Sequence, residues 1–197
     1  MRFLSVPEPG RHETGCLEKN CSILHSGACR WMLFLLLPAL LCGCSGKSSL
    51  VITDPKSQKP MLVGECSRRD LEKHPFKAWF DKEYDAYQLD TASLQQLKNQ
   101  WRDIGITLVL ATWCGDSRRE VPRFYKILDY VKFDTRMLKV YSVDRSKKAG
   151  KTDLSALEIN FVPTIIIYRK HSEMGRIIEK PASTLEKDLF RYIGLTD

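Results

Sequence analysis

Cys114 is the residue whose place in the sequence best fits a chemical role. It follows the short apolar run of residues 106–112, which is typical of a strand buried on both faces. It precedes residues 121–131, whose apolar side chains recur at helical spacing. Cys114 is therefore predicted to lie where a buried strand turns into a helix. A thiol at a helix N-terminus ionises more readily than free cysteine, and the thiolate is the form that attacks disulfides.

The residues that follow Cys114 are expected to tune its reactivity. Positive charge from Arg118 and Arg119 favours the thiolate, whereas Asp116 opposes it. Ser117 stands three residues after the cysteine, and its hydroxyl stays protonated, so it cannot act as a second thiol. The predicted site thus has one nucleophilic sulfur, and its neighbours in the same short segment are Trp113, Gly115, Asp116, Ser117 and Arg118.

The composition narrows the classes of protein that this chain can belong to. Its 197 residues are 43% hydrophobic and 28% charged, which excludes a disordered or fibrous chain. Only one apolar run approaches the length of a membrane span, which excludes a multi-pass membrane protein. The net charge of +7 comes from scattered basic residues, so we expect a solvated basic surface and no nucleic-acid partner.

The seven cysteines and four histidines give no sign of a metal site. No Cys-x-x-Cys pair occurs, and no zinc-ligand spacing is present. His74 and His171 are isolated in the sequence, which is typical of surface residues. We therefore expect neither a metal nor another cofactor.

The N-terminal region has the features of a targeting segment. The apolar run of residues 31–41 is too short for a membrane span but fits the hydrophobic region of a signal peptide, and Arg30 precedes it. Residues 41–44, Leu-Cys-Gly-Cys, resemble the lipobox of bacterial lipoproteins, which implies a lipid on Cys44 and an anchor in the bacterial cell envelope with the domain outside the cytoplasm. A plain secretory signal and a short buried helix remain alternatives. The acidic residues and prolines of residues 1–29 indicate that the start is placed too far upstream.

The remaining chain is predicted to form a tether, a helical extension and a folded domain. Residues 1–44 form the signal segment, residues 45–64 the tether, residues 65–90 the extension and residues 91–197 the domain. Within the last two regions we predict a helix over 75–87 with an aromatic face, a helix capped by Thr91, a helix from Cys114 and a short helix near 154–159. The predicted strands are residues 106–112, 138–144, 164–168 and 176–179. The last helix is opened by Ser183-Thr184-Leu185-Glu186, and its predicted inner face consists of Leu185, Leu189, Phe190 and Ile193.

The order of these elements predicts an α/β fold, with a central sheet covered by helices on both faces. Trp113-Cys114-Gly115 at a strand-to-helix turn, followed by Val162-Pro163-Thr164 at the start of a later strand, resembles the thioredoxin family over residues 90–197. The resemblance implies a thioredoxin-like fold with a mixed sheet. It also implies that Cys114 is the catalytic nucleophile, that Trp113 shapes the rim, and that Val162, Pro163 and Thr164 line the substrate groove, with Pro163 in the cis form.

Two positions depart from the family pattern. The second catalytic cysteine of the family is replaced by Ser117, and its buried aspartate, six residues before Cys114, is replaced by Leu108. These losses are consistent with each other, because without a buried thiol no buried base is required. A mixed disulfide on Cys114 then needs an external thiol for its resolution, or Cys66 if the extension folds over the site.

Three functions follow as hypotheses. The first is a membrane-anchored, single-cysteine thiol–disulfide oxidoreductase, whose partners are proteins with disulfides or thiols and an external reductant thiol. The second is a redox-inactive module that binds extended peptides. The third rests on the similarity of Cys-Gly-Asp-Ser to the Cys-Gly-Phe-Ser of monothiol glutaredoxins, which bind glutathione and an iron–sulfur cluster. Trp113 and the export signal argue against the third hypothesis.

Overall fold

The structure, a computed structural model, describes residues 49–194. Its central feature is one mixed sheet of six strands. In chain order the strands are β1 (Leu50–Thr53), β2 (Pro60–Glu65), β3 (Ile104–Leu110), β4 (Leu138–Ser142), β5 (Thr164–Arg169) and β6 (Ser172–Ile178). Across the sheet they lie in the order β1-β2-β4-β3-β5-β6.

Strand β3 lies inside the sheet because its side chains are apolar on both faces. Six of its seven residues are buried. It runs parallel to β4 and antiparallel to β5. An antiparallel hairpin closes each edge of the sheet, β1 with β2 on one side and β5 with β6 on the other. The sheet is therefore mixed, as the sequence predicted.

Within residues 49–194, five α-helices accompany the sheet. They are α1 (Arg68–Leu71), α2 (Lys77–Ala86), α3 (Thr91–Gln96), α4 (Gly115–Tyr130) and α5 (Leu185–Ile193). Two short 3₁₀ helices span Thr135–Met137 and Ser155–Leu157. Helix α5 begins after Thr184, whose hydroxyl accepts a hydrogen bond from the Lys187 amide, whereas α3 is capped by the Asp90 carboxyl rather than by Thr91.

Most buried apolar side chains form one cluster, which we call the large core. Every α-helix contributes to it, and Leu71, Phe80, Leu94, Phe124 and Leu189 represent α1 to α5 in that order. The aromatic face predicted for residues 75–87 packs here, with Phe80 fully buried. Because α2 packs on α4, the predicted helical extension is an integral part of the domain. Phe190 is an exception to the predicted inner face of α5, since its side chain is 40% exposed.

A second, smaller buried cluster lies on the other side of β3. We call it the small cluster, and its members are Val109, Ala111, Val143, Ala149, Leu154 and Val162. Successive strand residues point to opposite faces, so Leu108 enters the large core while Val109 enters the small cluster. Residues 143–163 cover this side, and their only described helix is the 3₁₀ turn Ser155–Leu157. Helices thus flank the sheet unequally.

The predicted tether over residues 45–64 is wrong from residue 50 onward. Strands β1 and β2 occupy this stretch, and Met61, Leu62 and Val63 of β2 are buried. The Leu62 amide donates to the Thr112 hydroxyl at 3.0 Å, and its carbonyl accepts from the Ser142 hydroxyl at 2.7 Å. These contacts over 50 and 80 residues of sequence give β2 its place in the sheet.

No helix within residues 49–194 is long and apolar enough to cross a membrane. The predicted signal segment, with Cys44, lies outside the described residues.

Candidate functional site

Cys114 lies at the junction of β3 and α4, as the sequence predicts. Its extended backbone makes it the N-cap of α4, and its carbonyl accepts a hydrogen bond from the Arg118 amide at 3.1 Å. Its own amide donates to the Ala111 carbonyl at 3.0 Å. The side chain is half-buried against the small cluster. The helix thus begins at Gly115, directly after the thiol, which remains accessible to a partner.

The thiol contacts the second motif that the sequence analysis identified. Cys114 Sγ donates a hydrogen bond to the Val162 carbonyl at 3.1 Å, across 48 residues of sequence. The peptide bond between Val162 and Pro163 is cis, and both residues are buried. The fold therefore brings together the predicted nucleophile and the segment that the resemblance assigned to a substrate groove.

Thr164 does not line that groove. It is only 2% exposed, and its hydroxyl donates to the Phe161 carbonyl at 2.7 Å. As the first residue of β5 it pairs with Val109 on one side and Ile178 on the other, which fixes it inside the sheet. The exposed side chain next to Val162 is Phe161, at 53%, which the sequence analysis did not select.

Trp113 forms one wall beside the thiol. Its indole Nε1 donates to the Val143 carbonyl at 3.0 Å. Two cations lie over its ring, with Arg145 Cζ 4.6 Å and Lys147 Nζ 5.2 Å from the ring centroid. Cation–π contacts of this kind hold an aromatic ring and a charge together. Trp113 is therefore a positioned rim residue with a cationic neighbourhood.

An ion pair with the buried carboxyl of Asp54 holds Arg145 in this position. Its Nε and Nη2 atoms each donate to one oxygen of the Asp54 carboxyl at 2.7 Å. Asp54 is 1% exposed and also accepts from the Lys56 amide and the Ser57 hydroxyl. The hydrogen bonds from Arg145 hold the pKa of the Asp54 carboxyl well below its usual range, against the opposing effect of burial. The sequence analysis missed both residues, because it assigned Asp54 to the tether.

The two departures from the family pattern are accommodated by packing. Ser117 is fully buried, and its hydroxyl accepts a hydrogen bond from the Ala111 amide at 3.1 Å. Leu108 is fully buried in the large core. A serine hydroxyl therefore satisfies a buried backbone donor beside the site, and an aliphatic side chain fills the position of the family carboxylate.

The charged residues after Cys114 contact other groups. Arg118 Nε donates to the Thr112 carbonyl at 2.6 Å. Arg119 forms ion pairs with Asp116 at 2.7 Å and with Glu120 at 2.6 Å. Arg145 and Lys147, which come from a loop distant in sequence, lie over the Trp113 ring.

The structure does not bring Cys66 to Cys114. Cys66 is fully buried in the large core, whereas Cys114 packs against the small cluster. No disulfide joins them. A resolving role for Cys66, one of the alternatives from sequence, thus has no geometric support. Among residues 49–194, no group of three or more histidine, cysteine or acidic side chains is arranged to hold a metal ion.

No protein-family model matches the chain, and no curated protein matches it in sequence. Solved structures do show similarity. A protein of unknown function from Pseudomonas aeruginosa shares 12% identity with a TM-score of 0.42, over 59% of this chain and 77% of its own. Oxidised thioredoxin O2 from Arabidopsis thaliana shares 16% identity with a TM-score of 0.36, over 52% and 85%. Oxidised mitochondrial thioredoxin 3 from Saccharomyces cerevisiae shares 18% with a TM-score of 0.33, over 57% and 97%.

The topology identifies the fold as thioredoxin-like, which confirms the fold class predicted from the sequence. Parallel strands β3 and β4 are connected through α4, and the antiparallel β5–β6 hairpin lies on the other side of β3. The resemblance depends on two motifs, and both lie where it predicts. Cys114 lies between β3 and α4, and Pro163 directly precedes β5.

Proposed function

We propose that this protein carries out thiol–disulfide exchange through the single nucleophile Cys114. The observation that carries the proposal is the contact of the partly buried Cys114 thiol, at the start of α4, with the Val162 carbonyl beside Pro163. A thiol placed there is accessible, lies at the positive end of a helix, and has a backbone acceptor next to it.

The exchange uses one sulfur of this chain, the two sulfurs of a partner disulfide and the sulfurs of two external thiols. The Cys114 thiolate attacks one sulfur of a partner disulfide, forming a new S–S bond as the partner's own bond breaks. The other partner sulfur leaves as a thiolate and takes up a proton. An external thiolate then attacks the mixed disulfide, which releases the reduced partner, and a second external thiolate regenerates Cys114. The net result is one reduced disulfide and one newly formed disulfide between two external thiols.

The chain's own residues support these steps. Ser117 supplies no second sulfur, so the mixed disulfide persists until an external thiol reacts. Once Cys114 is in a disulfide it has lost its proton, and the Val162 carbonyl is released to accept a backbone N–H from the partner. Trp113, fixed by the Val143 carbonyl, forms the wall beside the sulfur.

The test is formation of a mixed disulfide on the native full-length chain. An aromatic disulfide is added at neutral pH, and the adduct on the Cys114 peptide is followed by mass spectrometry. We expect rapid modification of Cys114 and none of buried Cys66 until the protein is unfolded. Cys114→Ser abolishes the adduct at that position while changing the free energy of unfolding by less than about 0.5 kcal/mol.

A Cys114 that reacts no faster than an unstructured cysteine peptide contradicts the proposal. It would favour the redox-inactive peptide-binding module, for which the half-exposed rim and the Val162 carbonyl would still serve. Retention of exchange activity in Cys114→Ser would contradict it equally.

We further propose that the chain is a lipoprotein of the bacterial cell envelope, anchored through Cys44. The support is the Leu-Cys-Gly-Cys sequence of residues 41–44 after the apolar run. Expression in a bacterium with a labelled fatty acid is expected to label the wild-type chain and not Cys44→Ser, with Cys42→Ser as the matched control. Label that survives in Cys44→Ser, or an unmodified mature N-terminus beyond Cys44, contradicts the anchor.

A further inference from the structure

We propose that the rim of the thiol site selects partner segments that carry carboxylates close to their reactive sulfur. The proposal rests on the exchange reaction above and adds the chemical class of its partner. It depends on residues 144–151, which we call the basic loop and which contain Arg145, Lys147, Lys148 and Lys151. This loop directly follows Val143, whose carbonyl fixes Trp113.

The basic loop is held in a defined conformation by Asp144. The Asp144 carboxyl accepts hydrogen bonds from the amides of Ser146, at 2.8 Å, and Lys148, at 2.9 Å. The Asp144 backbone closes the turn through its carbonyl to the Lys147 amide and through its amide to the Lys148 carbonyl. Lys147 adopts a left-handed backbone, with φ of 64°. The lysine side chains therefore project from a fixed turn, which lowers the conformational cost of binding an anion.

The charges of this loop are unequally neutralised. Arg145 is committed to Asp54. In the part of the chain that the structure describes, Lys147, Lys148 and Lys151 form no ion pair within 4 Å. The same three lysines line a concavity of about 430 Å³. Asp153 is the acidic residue in its lining, so the wall carries an excess of positive charge.

This concavity adjoins the thiol site. Leu154 and Ile159 line the concavity. Leu154 is also a member of the small cluster, and Ile159 packs against that cluster, as Trp113 and Cys114 do. Lys147 connects the two regions directly, since its ammonium lies over the Trp113 ring. Phe161, exposed before Val162, offers an apolar contact beside the same rim. A peptide with its sulfur at Cys114 can therefore place a neighbouring side chain near the lysines.

The chemistry of the reaction decides which anion fits. A partner for exchange must contain sulfur, which excludes nucleic acids and lipid headgroups as the reacting species. Lysine ammonium groups act as compact point charges and suit single carboxylates. Complementary charges of this kind raise association rates and discriminate between partners. The partner is thus an acidic, cysteine-containing peptide segment.

The experiment compares three peptides on the full-length chain. Each contains one cysteine in a disulfide with the same aromatic thiol, flanked by Glu, Gln or Lys. Second-order rate constants for modification of the Cys114 peptide are measured by mass spectrometry. The Glu peptide is expected to react about tenfold faster than the Lys peptide, as two exposed charge contacts of about threefold each would give. The ratio falls toward one as salt screens the charges.

The ratio of rates also isolates the basic loop. A triple variant of the basic loop combines Lys147→Gln, Lys148→Gln and Lys151→Gln. It changes the charge near Cys114 equally for all three peptides, so any change in thiolate reactivity cancels when the rate for the Glu peptide is divided by the rate for the Lys peptide. This variant is expected to bring the Glu-to-Lys ratio close to one. The matched control combines Lys82→Gln, Lys98→Gln and Lys187→Gln, which remove the same charge from exposed positions elsewhere. The control is expected to keep the wild-type ratio of the Glu-peptide rate to the Lys-peptide rate.

Each remaining outcome overturns the inference. A ratio near one in the wild-type chain, or a ratio that survives the loop substitutions, refutes carboxylate selection while leaving the exchange reaction intact. An equal fall in both triple variants attributes selection to net charge and not to this loop. A failure of all three peptides to react at Cys114 refutes the proposed function together with the inference.

Discussion

Residues alternate along β3 between two buried clusters that differ in size and in cover. The large core is enclosed by all five α-helices and holds the largest buried side chains, including Phe80 and Phe124. The small cluster lies under residues 143–163, which contain a single 3₁₀ turn. Burial of apolar area provides most of the folding free energy, so stability is concentrated on the helical side. The Cys114 thiol and its rim lie on the thinly covered side.

The two described cysteines show what this division means for a side chain. Cys66 is fully buried in the large core, where a thiol behaves as a small apolar group. Cys114 is half-buried at the edge of the small cluster and contacts a backbone carbonyl. The same residue type is therefore fully enclosed on one side and partly accessible, at the proposed reactive position, on the other. Substitutions should consequently separate loss of stability from loss of exchange.

The largest effect on stability is expected in the large core. Phe80→Ala removes a fully buried ring that packs against Tyr84 and Tyr125, and it should lower the free energy of unfolding by about 3–5 kcal/mol. The rate of Cys114 modification per folded molecule should be unchanged. Urea denaturation measures the first quantity and mass spectrometry the second.

The matched control for Phe80 is Phe190, whose ring is half-exposed on α5. Phe190→Ala should cost less than about 1 kcal/mol. An equal loss in both variants would contradict the assignment of stability to buried packing. A large change in exchange rate in folded Phe80→Ala would contradict the separation of the two sides.

Acid is expected to weaken the thinly covered side through Asp54. Because the folded protein depresses the pKa of this carboxyl, the ion pair with Arg145 adds stability above the unfolded value of about 3.9 and loses it as pH falls below that value. In Asp54→Asn the free energy of unfolding should therefore decrease less steeply with falling pH in this acidic range. The same variant should release Arg145 from its position over the Trp113 ring. Denaturation curves at a series of pH values, together with tryptophan fluorescence, measure both effects.

Asp134→Asn provides the control for this pH dependence. Arg136 likewise lowers the pKa of the Asp134 carboxyl, but this pair is exposed and its partners are two residues apart in sequence. Its contribution should be smaller, because such a local pair can also form in the unfolded chain. If the two variants have the same acid profile, the long-range ion pair is not a significant contributor.

Cys66→Ala should produce a moderate loss of stability and no loss of chemistry. Removing a buried sulfur from the large core should cost about 1–2 kcal/mol. The rate at which external thiol resolves a mixed disulfide on Cys114 should be unchanged, as stopped-flow mixing can measure. Slower resolution in this variant would assign Cys66 the resolving role that its position argues against.

A modest loss of stability is expected to accompany a gain of exchange activity at position 117. Ser117→Cys replaces the hydroxyl that accepts the Ala111 amide and should cost about 1 kcal/mol. It creates a Cys-x-x-Cys motif, so turnover with insulin disulfides should rise as the second thiol displaces the substrate. Ser117→Ala should show a similar stability cost without that rise. Equal turnover in the two variants would exclude position 117 as a resolving position.

Local patterns were sufficient to predict the thiol side of the fold. The apolar run before Cys114 and the helical spacing after it indicated a strand-to-helix turn, and β3 and α4 confirm it. The resemblance placed Val162 and Pro163 at the site, and the thiol contact to the Val162 carbonyl agrees. Signals of this kind are strong because strand and helix periodicity depend only on neighbours in sequence.

Long-range contacts explain what the sequence did not reveal. Strand β2 has only three consecutive buried apolar residues between Pro60 and Gly64, too few for a clear periodicity. Its position depends on Ser142 and Thr112, which lie far along the chain. The Asp54–Arg145 pair spans 91 residues and was missed for the same reason. Thr164 was assigned to the groove through the resemblance, although its hydroxyl donates to the Phe161 carbonyl inside the sheet.

Because the sheet begins at Leu50, the proposed anchor at Cys44 would be separated from the folded domain by only a few residues. Had residues 45–64 been a tether, an extended chain from Cys44 to Glu65 would have spanned about 70 Å. From Cys44 to Leu50 the limit is about 20 Å, which is less than the thickness of a bilayer's hydrocarbon core. On the proposed anchor, the domain would therefore reach only partners within about one domain diameter of the lipid surface.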